Sequence, residues 1–458
     1  LNLDLTINPD FSQVEVDQQV TNLTRFSIFL PERRTFFLEN SDIFTNYGNP
    51  LVRPFFSRRI GLDENGRAVP IDFGARLTGN VTGSTRIGIL NAQTRETADQ
   101  LGQNYTALSF NQRLFQRSTL KGTFTNRQGF DEGKQVDGDH GRNAGLEFEY
   151  QSLDGAWQAW ANYHEAFKPG VTTEKYFWNA GGSYTGQTFS GTLAWVNVGT
   201  NYSADVGFVN RLENYDAVRD TSIRLGYRLL FMPLEWTFVP KNSDILNQHS
   251  FEIESVFTMD KDYRFVERRH EMDYEFEFKN SSEFSVFANL NETDLRFPFS
   301  FTDGTPLAAG RYTYSDFGLE YSSDERKLLQ YGTSLSTGTF YSGNISTVGA
   351  FALYRRQPWG NFSVEVEYNR LRFPDEHGEE EIWAISPRME INFHRNLFWT
   401  TFLQYNTQAD NFNINSRLQW RFAPMSDLFV VYTENYAVEF FGPKNRAMVL
   451  KLNYWLVL

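Results

Sequence analysis

From about Pro70 to Leu458 apolar and polar positions alternate with a period of two, in runs of roughly 10–14 residues closed by turns. Leu146, Phe148 and Tyr150 alternate with Glu147, Glu149 and Gln151. Ile223, Leu225, Tyr227 and Leu229 alternate with Ser222, Arg224, Gly226 and Arg228. Met272, Tyr274, Phe276 and Phe278 alternate with Asp273, Glu275, Glu277 and Lys279, and Phe362, Val364, Val366 and Tyr368 with Ser363, Glu365, Glu367 and Asn369. Phe412, Ile414, Leu418 and Trp420 face away from Asn413, Asn415, Arg417, Gln419 and Arg421. The last run sets Met448, Leu450, Leu452, Tyr454 and Leu456 against Lys451 and Asn453. This periodicity predicts β-strands, each with one apolar and one polar face.

Turn residues punctuate the runs. Asp154-Gly155 is a strong hairpin signal, and Thr82-Gly83-Ser84, Ser342-Gly343-Asn344 and Pro358-Trp359-Gly360 are weaker ones. Longer polar connections are expected near 131–142, 202–219, 298–309 and 374–380. Alternation alone also suits a soluble β-sandwich. Three features favour a membrane barrel. The runs reach the ~9–11 residues of a spanning strand, whereas soluble strands have a mode of ~5–6. They are too numerous for one sandwich, and no helix-period segment divides them. Aromatics collect near strand ends, where two lipid–water boundaries would place them: Trp157, Tyr176, Trp178, Trp236, Trp359, Trp383, Trp399, Tyr454 and Trp455. The expectation is an all-β, transmembrane antiparallel β-barrel of about 22 strands (range ~20–24), too wide for its own side chains to fill.

Composition sharpens this picture. Among 458 residues, 43 Phe, 22 Tyr and 10 Trp accompany a hydrophobic share of only 40%. No run approaches the ~20 consecutive apolar residues of a spanning helix. A barrel that shows lipid only alternate residues reconciles many aromatics with a mean hydropathy of −0.48. Zero Cys removes disulfides, thiol catalysis and Cys-based metal sites. The net charge of −13 argues against a nucleic-acid partner. No signal peptide is visible; the abrupt strand at Leu1 suggests a chain that begins inside a longer processed precursor.

Residues 1–69 differ from the rest. A strand at 1–7 leads into the turn Asn8-Pro9-Asp10-Phe11, and Thr21–Leu30 is expected to form a short helix on Leu23, Phe26, Ile28 and Leu30. Mixed charge and aromatics with little alternation suit a plug or lining in the lumen. The alternative is a periplasmic segment folded against the rim. The barrel itself is expected over 70–458.

The stretches Asn8-Pro9-Asp10-Phe11-Ser12-Gln13-Val14-Glu15-Val16-Asp17, Asn22-Leu23-Thr24-Arg25-Phe26 and Phe29-Leu30-Pro31-Glu32-Arg33-Arg34-Thr35-Phe36-Phe37-Leu38-Glu39 form a signature. Phe56-Ser57-Arg58-Arg59-Ile60-Gly61, Gly74-Ala75-Arg76-Leu77-Thr78-Gly79, Asn91-Ala92-Gln93-Thr94, Gly207-Phe208 and Lys451-Leu452-Asn453-Tyr454-Trp455 continue it. The chain resembles a family of uncharacterised outer-membrane β-barrel proteins common in Bacteroidetes, catalogued as a domain of unknown function. The resemblance implies a Gram-negative outer membrane and an upstream carbohydrate-binding module of the family-nine type. It carries no activity onto particular residues.

Candidate chemistry is sparse. The carboxylate-dense stretch Asp131, Glu132, Asp137 and Asp139 with its glycines would offer oxygen ligands to Ca²⁺, but without EF-hand spacing; a solvated acidic loop is the plainer reading. The charge run at 375–381 suits divalent bridges to lipopolysaccharide phosphates or, more simply, a solvated loop. His164, His249, His270 and His394 stand apart from one another, so no metal or other cofactor is expected from them. No Gly-rich phosphate loop, nucleophile elbow or zinc-helix motif occurs, which disfavours an enzyme, although a spatially assembled hydrolase site leaves no sequence trace. The informative surface is the polar face: Glu147, Glu149, Asp273, Glu275, Glu277, Glu365 and Glu367 with Arg224, Arg228, Arg417 and Arg421. Charged rings of this kind set pore selectivity, and net acid would favour cations or neutral polar solutes. They serve equally to hydrate the interior or to pair with a plug, for which Arg33, Arg34, Arg58 and Arg59 are the expected cations.

Two functions follow: a channel or transporter for a polar solute, such as a glycan-derived one, or a structural barrel docking envelope proteins or lipoproteins. Outer-membrane lipid and lipopolysaccharide are the expected surroundings in either case.

Overall fold

The computed structural model describes residues 1–12, 14–63, 66–438 and 442–456; Gln13 of the N-terminal signature and the last two residues of the final alternating run lie outside them. Within this range the chain forms one 22-stranded antiparallel sheet. Strands are hydrogen-bonded in sequence order from Ile71–Asn80 onward, and many exceed ten residues: Lys134–Gln151, Leu246–Asp260 and Glu379–His394 are examples. The N-terminal strand Asn2–Ile7 belongs to the same sheet, pairing with Ile71–Asn80 so that Asp4 lies opposite Arg76 and Ile7 opposite Phe73. The sheet therefore reaches its 22 strands by recruiting the chain start across the whole of residues 8–70.

Two compact units divide this chain. One comprises residues 1–10, 24–234 and 254–268; the other comprises 11–23, 235–253 and 269–458. In both, successive connections fall alternately at opposite ends of the strands. One end carries short turns, such as residues 81–84, 152–156, 357–359 and 395–396. The other carries the long ones, residues 95–101, 168–175, 199–226 and 296–309 among them. The connection 199–226 holds its own hairpin, Glu213–Asp216 with Thr221–Arg224.

Large apolar side chains line the outer face. Leu1, Leu3, Leu5 and Ile7 are 62–84% exposed, and Leu146, Phe148, Tyr150, Leu335 and Val348 are exposed as well. Rows of this kind are not tolerated against water, whereas lipid solvates them. The buried set is conversely rich in polar residues: Arg76, Thr78, Asn143, Glu147, His164, Gln404 and Asn406. The girdle aromatics sit at both strand ends. Trp157, Trp359, Trp399, Tyr454 and Trp455 lie at or just beyond the short-turn ends, and Tyr176, Trp178 and Trp383 toward the long-loop ends. Trp236 closes its strand beside Phe251, ring centroids 6.2 Å apart.

Four expectations need correction. The acidic stretch at 131–142 is no loop: strand Ser118–Asp131 turns tightly into Lys134–Gln151, with Asp131 opposite Lys134. No helix forms at 21–30; the short helices are Thr35–Leu38 and Asp42–Thr45. A stretch of that length gains too little from helix hydrogen bonds alone, and its rings are bound elsewhere. Phe26 lies under Arg25 and Arg211, and Phe29 packs on Phe56 and Phe208. The run 222–229 is not one strand: Thr221–Arg224 ends the loop hairpin, and Tyr227–Phe238 begins the next strand of the main sheet. Between them Gly226 lies so close to Thr200 that a Cβ would meet its backbone nitrogen at 2.7 Å. The face assignment of Tyr227–Phe238 is also inverted near its start. Tyr227 and Leu229 are buried in a cluster with Val52, Phe177, Tyr202 and Leu212, while Arg228 lies on the opposite side, 3.7 Å above the Tyr263 ring.

Val366 lies mid-strand on the outer face, between Glu365 and Glu367 of the polar face. Val366→Arg is expected to destabilise the folded protein by about 2–4 kcal/mol, the cost of a cation at the bilayer midplane. Glu365→Gln should cost under about 1 kcal/mol. Urea unfolding from liposomes, followed by tryptophan fluorescence, checks both values.

Candidate functional site

The polar face of the sheet is covered by the N-terminal segment, and the cover is built differently in the two units. In the first, glycines let the short helices lie directly on the strands. A Cβ on Gly74 would meet the Phe36 ring at 2.9 Å, and one on Gly88 would meet Ile43 and Phe44 at 2.8 Å. Arg76, 1% exposed, gathers the first turn of cover: its guanidinium binds Asp4 Oδ2 at 2.7 Å, Glu39 Oε2 at 3.3 Å and the Phe36 carbonyl at 2.6 Å. Arg86 forms a two-pronged pair with Asp42. That hydrogen bond is the main reason the Asp42 carboxyl is held below the usual range.

Deeper in the same unit, Glu147 is 1% exposed and joins three partners: Lys121 Nζ at 3.1 Å, His164 Nε2 at 2.8 Å and the backbone N–H of Gly48 at 2.5 Å. Lys121 also donates to Glu149 and to the Asn46 carbonyl. Tyr47 donates its hydroxyl proton between the carbonyls of Phe110 and Gly122, at 3.0 and 2.9 Å. His164 fits because Gly145 opposite has no Cβ; one there would lie 1.9 Å from the imidazole Nδ1. This cluster fastens residues 46–48 to the strands.

In the second unit Glu15 is the anchor. Its carboxylate meets Arg388 at 3.1 and 3.3 Å and Arg417 at 3.0 Å. Gln404 brackets the backbone around it, accepting from the Gln19 N–H at 2.5 Å and donating to the Asp17 carbonyl at 2.9 Å. Gln408 does the same for Asn22, and Gln18 donates to Glu365 at 2.7 Å. A space of about 410 Å³ remains between Gln18, Gln19 and Val20 and the carboxylates Glu320, Glu365 and Glu367.

Many of the ion pairs between segment and strands run the other way from those expected of the segment arginines, with strand cations on segment carboxylates. Arg34 binds Glu32 at 2.8 Å and the carbonyls of Ser57 and Ile60; Arg58 donates to the Pro31 carbonyl, and Arg59 to that of Gly207. The strands supply the cations (Arg76, Arg86, Lys121, Arg388, Arg417) and the segment supplies Glu39, Asp42 and Glu15. Arg25 is an exception, 3.6 Å from Glu267. Of the other signature residues, Asn8 donates its N–H to the Asp72 carbonyl and Phe37 is buried beneath Arg34. Pro9, Asp10, Phe11 and Arg33 lie in the irregular stretches of the segment. The anchoring roles of Arg76, Lys121 and His164 escaped the sequence reading, because nothing local distinguishes an anchoring residue from any other on a polar face.

At the long-loop end of the first unit a cavity of about 900 Å³ opens. Its walls hold four cations, Arg59, Arg127, Lys168 and Arg224, and five carboxylates, Asp63, Asp99, Asp139, Asp205 and Glu213. Tyr105 and Tyr202 add aromatic surface. Arg224 thus belongs to the cavity wall through the loop hairpin, paired with Glu213 at 2.6 Å. Asp139, from the stretch considered for Ca²⁺, is bound to Arg127 at 2.7 Å. Among the described residues no three His, Asp or Glu side chains converge as metal ligands. Asp205 ties the loop to the strands through Arg127 and Lys168, both at 3.0 Å. Burial acts to raise its pKa, but the two cations outweigh burial and hold the carboxyl below its ordinary value. Asp273, Glu275 and Glu277 alternate along one strand, where Glu277 accepts from Asn247 at 2.6 Å; Arg421 pairs with Asp427 at 3.2 Å.

Two outcomes test these anchors. Glu147→Ala leaves Lys121, His164 and Gly48 facing a void and should cost about 3–5 kcal/mol; Glu147→Gln should cost less, and urea midpoints in detergent compare them. Because the Asp205 pKa is depressed, the stability it lends is whole above the ordinary Asp value of ~3.9 and is lost as pH falls through the lowered value. A spin label on Asn201→Cys, the chain's sole thiol, should gain mobility only as pH falls below the ordinary Asp range, and Asp205→Asn should be mobile already at pH 7.

Comparison with known proteins agrees with the fold. The siderophore receptor PirA from Pseudomonas aeruginosa superposes with a TM-score of 0.50 at 9% identity, over 82% of this chain and 81% of that one. The ferric enterobactin receptor PfeA from the same organism, in complex with enterobactin, gives 0.50 at 7% identity, over 83% and 77%. At such identity the likeness is one of fold, and the 22-stranded sheet is an outer-membrane type of β-barrel. No curated protein sequence matches the chain. Residues 1–371 match the family described as "Domain of unknown function (DUF5916)", and the chain belongs to that family.

Proposed function

We propose that this chain is an outer-membrane barrel of a Gram-negative, Bacteroidetes-type cell that moves a polar solute across that membrane, with residues 11–69 as its plug. The observation that carries this reading is the mixed-charge cavity of about 900 Å³ at the long-loop end, bordered by segment residues Arg59 and Asp63. Long loops face outward in barrels of this class, so the cavity would meet solutes arriving from outside. Four cations interleaved with five carboxylates, most already paired, leave no single-sign field to select an ion. They do present alternating donors and acceptors beside two tyrosines, which suits a neutral, hydroxyl-rich solute such as a glycan fragment. An upstream carbohydrate-binding module, implied by the family resemblance, would serve the same solute. Catalysis and a resident metal form no part of this proposal.

Planar-bilayer conductance and liposome swelling test it. Deletion must spare strand Asn2–Ile7, which the sheet needs; Asn8 already hydrogen-bonds Asp72, so removing 11–69 leaves a closable turn. The full chain should show little conductance, and the deleted chain stable open currents with swelling in neutral oligosaccharides. Silence of the correctly folded, deleted chain would overturn transport and favour a docking barrel.

A further inference from the structure

The outer face of the second unit is not uniformly filled. A groove of about 380 Å³ runs between strands Gly343–Arg356, Gly360–Arg372, Glu379–His394 and Leu397–Asn406, lined by Ala352, Tyr354, Val364, Pro387, Met389 and Thr401. These residues alternate with Glu365, Ser386 and Arg388 of the polar face, so the groove opens toward lipid. Its depth comes from small or short residues, Ala352 and Thr401, set among Tyr354, Phe362 and Met389. Pro387, opposite Val364, adds a flat ring at its floor.

The groove ends at short turns of unusual charge. Residues 326–327 are Arg-Lys, 355–356 are Arg-Arg and 394–395 are His-Arg, whereas the short turns 81–84, 115–117, 152–156, 186–188, 239–245 and 279–282 hold at most one cation each. Arg326 is neutralised by Asp324 at 2.8 Å. Lys327, Arg356 and Arg395 are exposed. Charge and groove are continuous: Leu329 pairs with Tyr354, the Arg355 N–H donates to the Leu328 carbonyl, and Arg356 Nη1 stands 3.5 Å from the Tyr354 hydroxyl. Trp359, 63% exposed, marks the interface beside them.

We propose that this groove holds an acyl chain of an anionic phospholipid whose phosphate sits between Lys327 and Arg356. An apolar slot selects a chain, and a basic cluster at its interfacial end selects an anionic headgroup over a zwitterionic one. The short-turn end faces the periplasmic leaflet in barrels of this class, the leaflet that contains phospholipid. The inference rests on the barrel fold and its membrane placement, not on transport.

Native mass spectrometry of the full chain, released from micelles with equimolar phosphatidylglycerol and phosphatidylcholine of the same acyl chains, tests it. The unaltered protein should retain phosphatidylglycerol at least tenfold over phosphatidylcholine. Lys327→Gln with Arg356→Gln should reduce that ratio to about one. Ala352→Trp should remove both lipids with the charges intact; Thr401→Phe replaces it if heat-modifiability on gels shows misfolding. Equal retention of the two lipids by the unaltered chain would overturn the proposal. So would preferential capture of lipid A, or a dimer that Ala352→Trp dissociates.

Discussion

Everything in this protein follows from the need to satisfy backbone hydrogen bonds where no water is present. A strand in hydrocarbon must pair on both sides, so the chain commits itself to one long antiparallel sheet and draws the strand Asn2–Ile7 back across residues 8–70 to extend it. That commitment fixes the side-chain pattern as well. One face meets lipid and takes Leu, Phe and Val; the other turns away from lipid and can be as polar as Arg76, Glu147 and Gln404.

A polar face turned inward creates a second demand, because buried charges must be paired. The N-terminal segment meets it with carboxylates. Glu15, Glu39 and Asp42 dock on guanidinium groups presented by the strands, while the segment's Arg34 braces its own fold through Glu32 and the Ser57 and Ile60 carbonyls. Glycines at 74, 88 and 145 remove side chains where ring or imidazole must approach the sheet. Side-chain amides of Gln404 and Gln408 complete the fastening by hydrogen-bonding the segment's backbone, a contact indifferent to the segment's side chains. The anchors use three chemistries, so the loss of one leaves the others in place. In the first unit a cavity stays open at the long-loop end, and its charges largely balance one another.

Strand existence, strand length and the outward residues were legible because a period of two is a local signal repeated along the chain. Leu146, Phe148 and Tyr150 needed only their neighbours to be assigned. The same local rule misplaced Arg228, because Tyr227 and Leu229 are apolar for a different reason: they pack on Tyr202 and Leu212 rather than on lipid. It also ran two elements together across Gly226, whose role is to approach Thr200.

Sequence by itself determined the membrane barrel, since it is written in spacing and composition. Only the tertiary structure decided which polar residues act together. His164 and Glu147 are 17 positions apart, and Glu15 and Arg417 are 402 apart. Ion pairs form between whichever charges the register and the path of the segment bring within a few ångströms. That path depends on packing summed over the whole chain, which no local window contains.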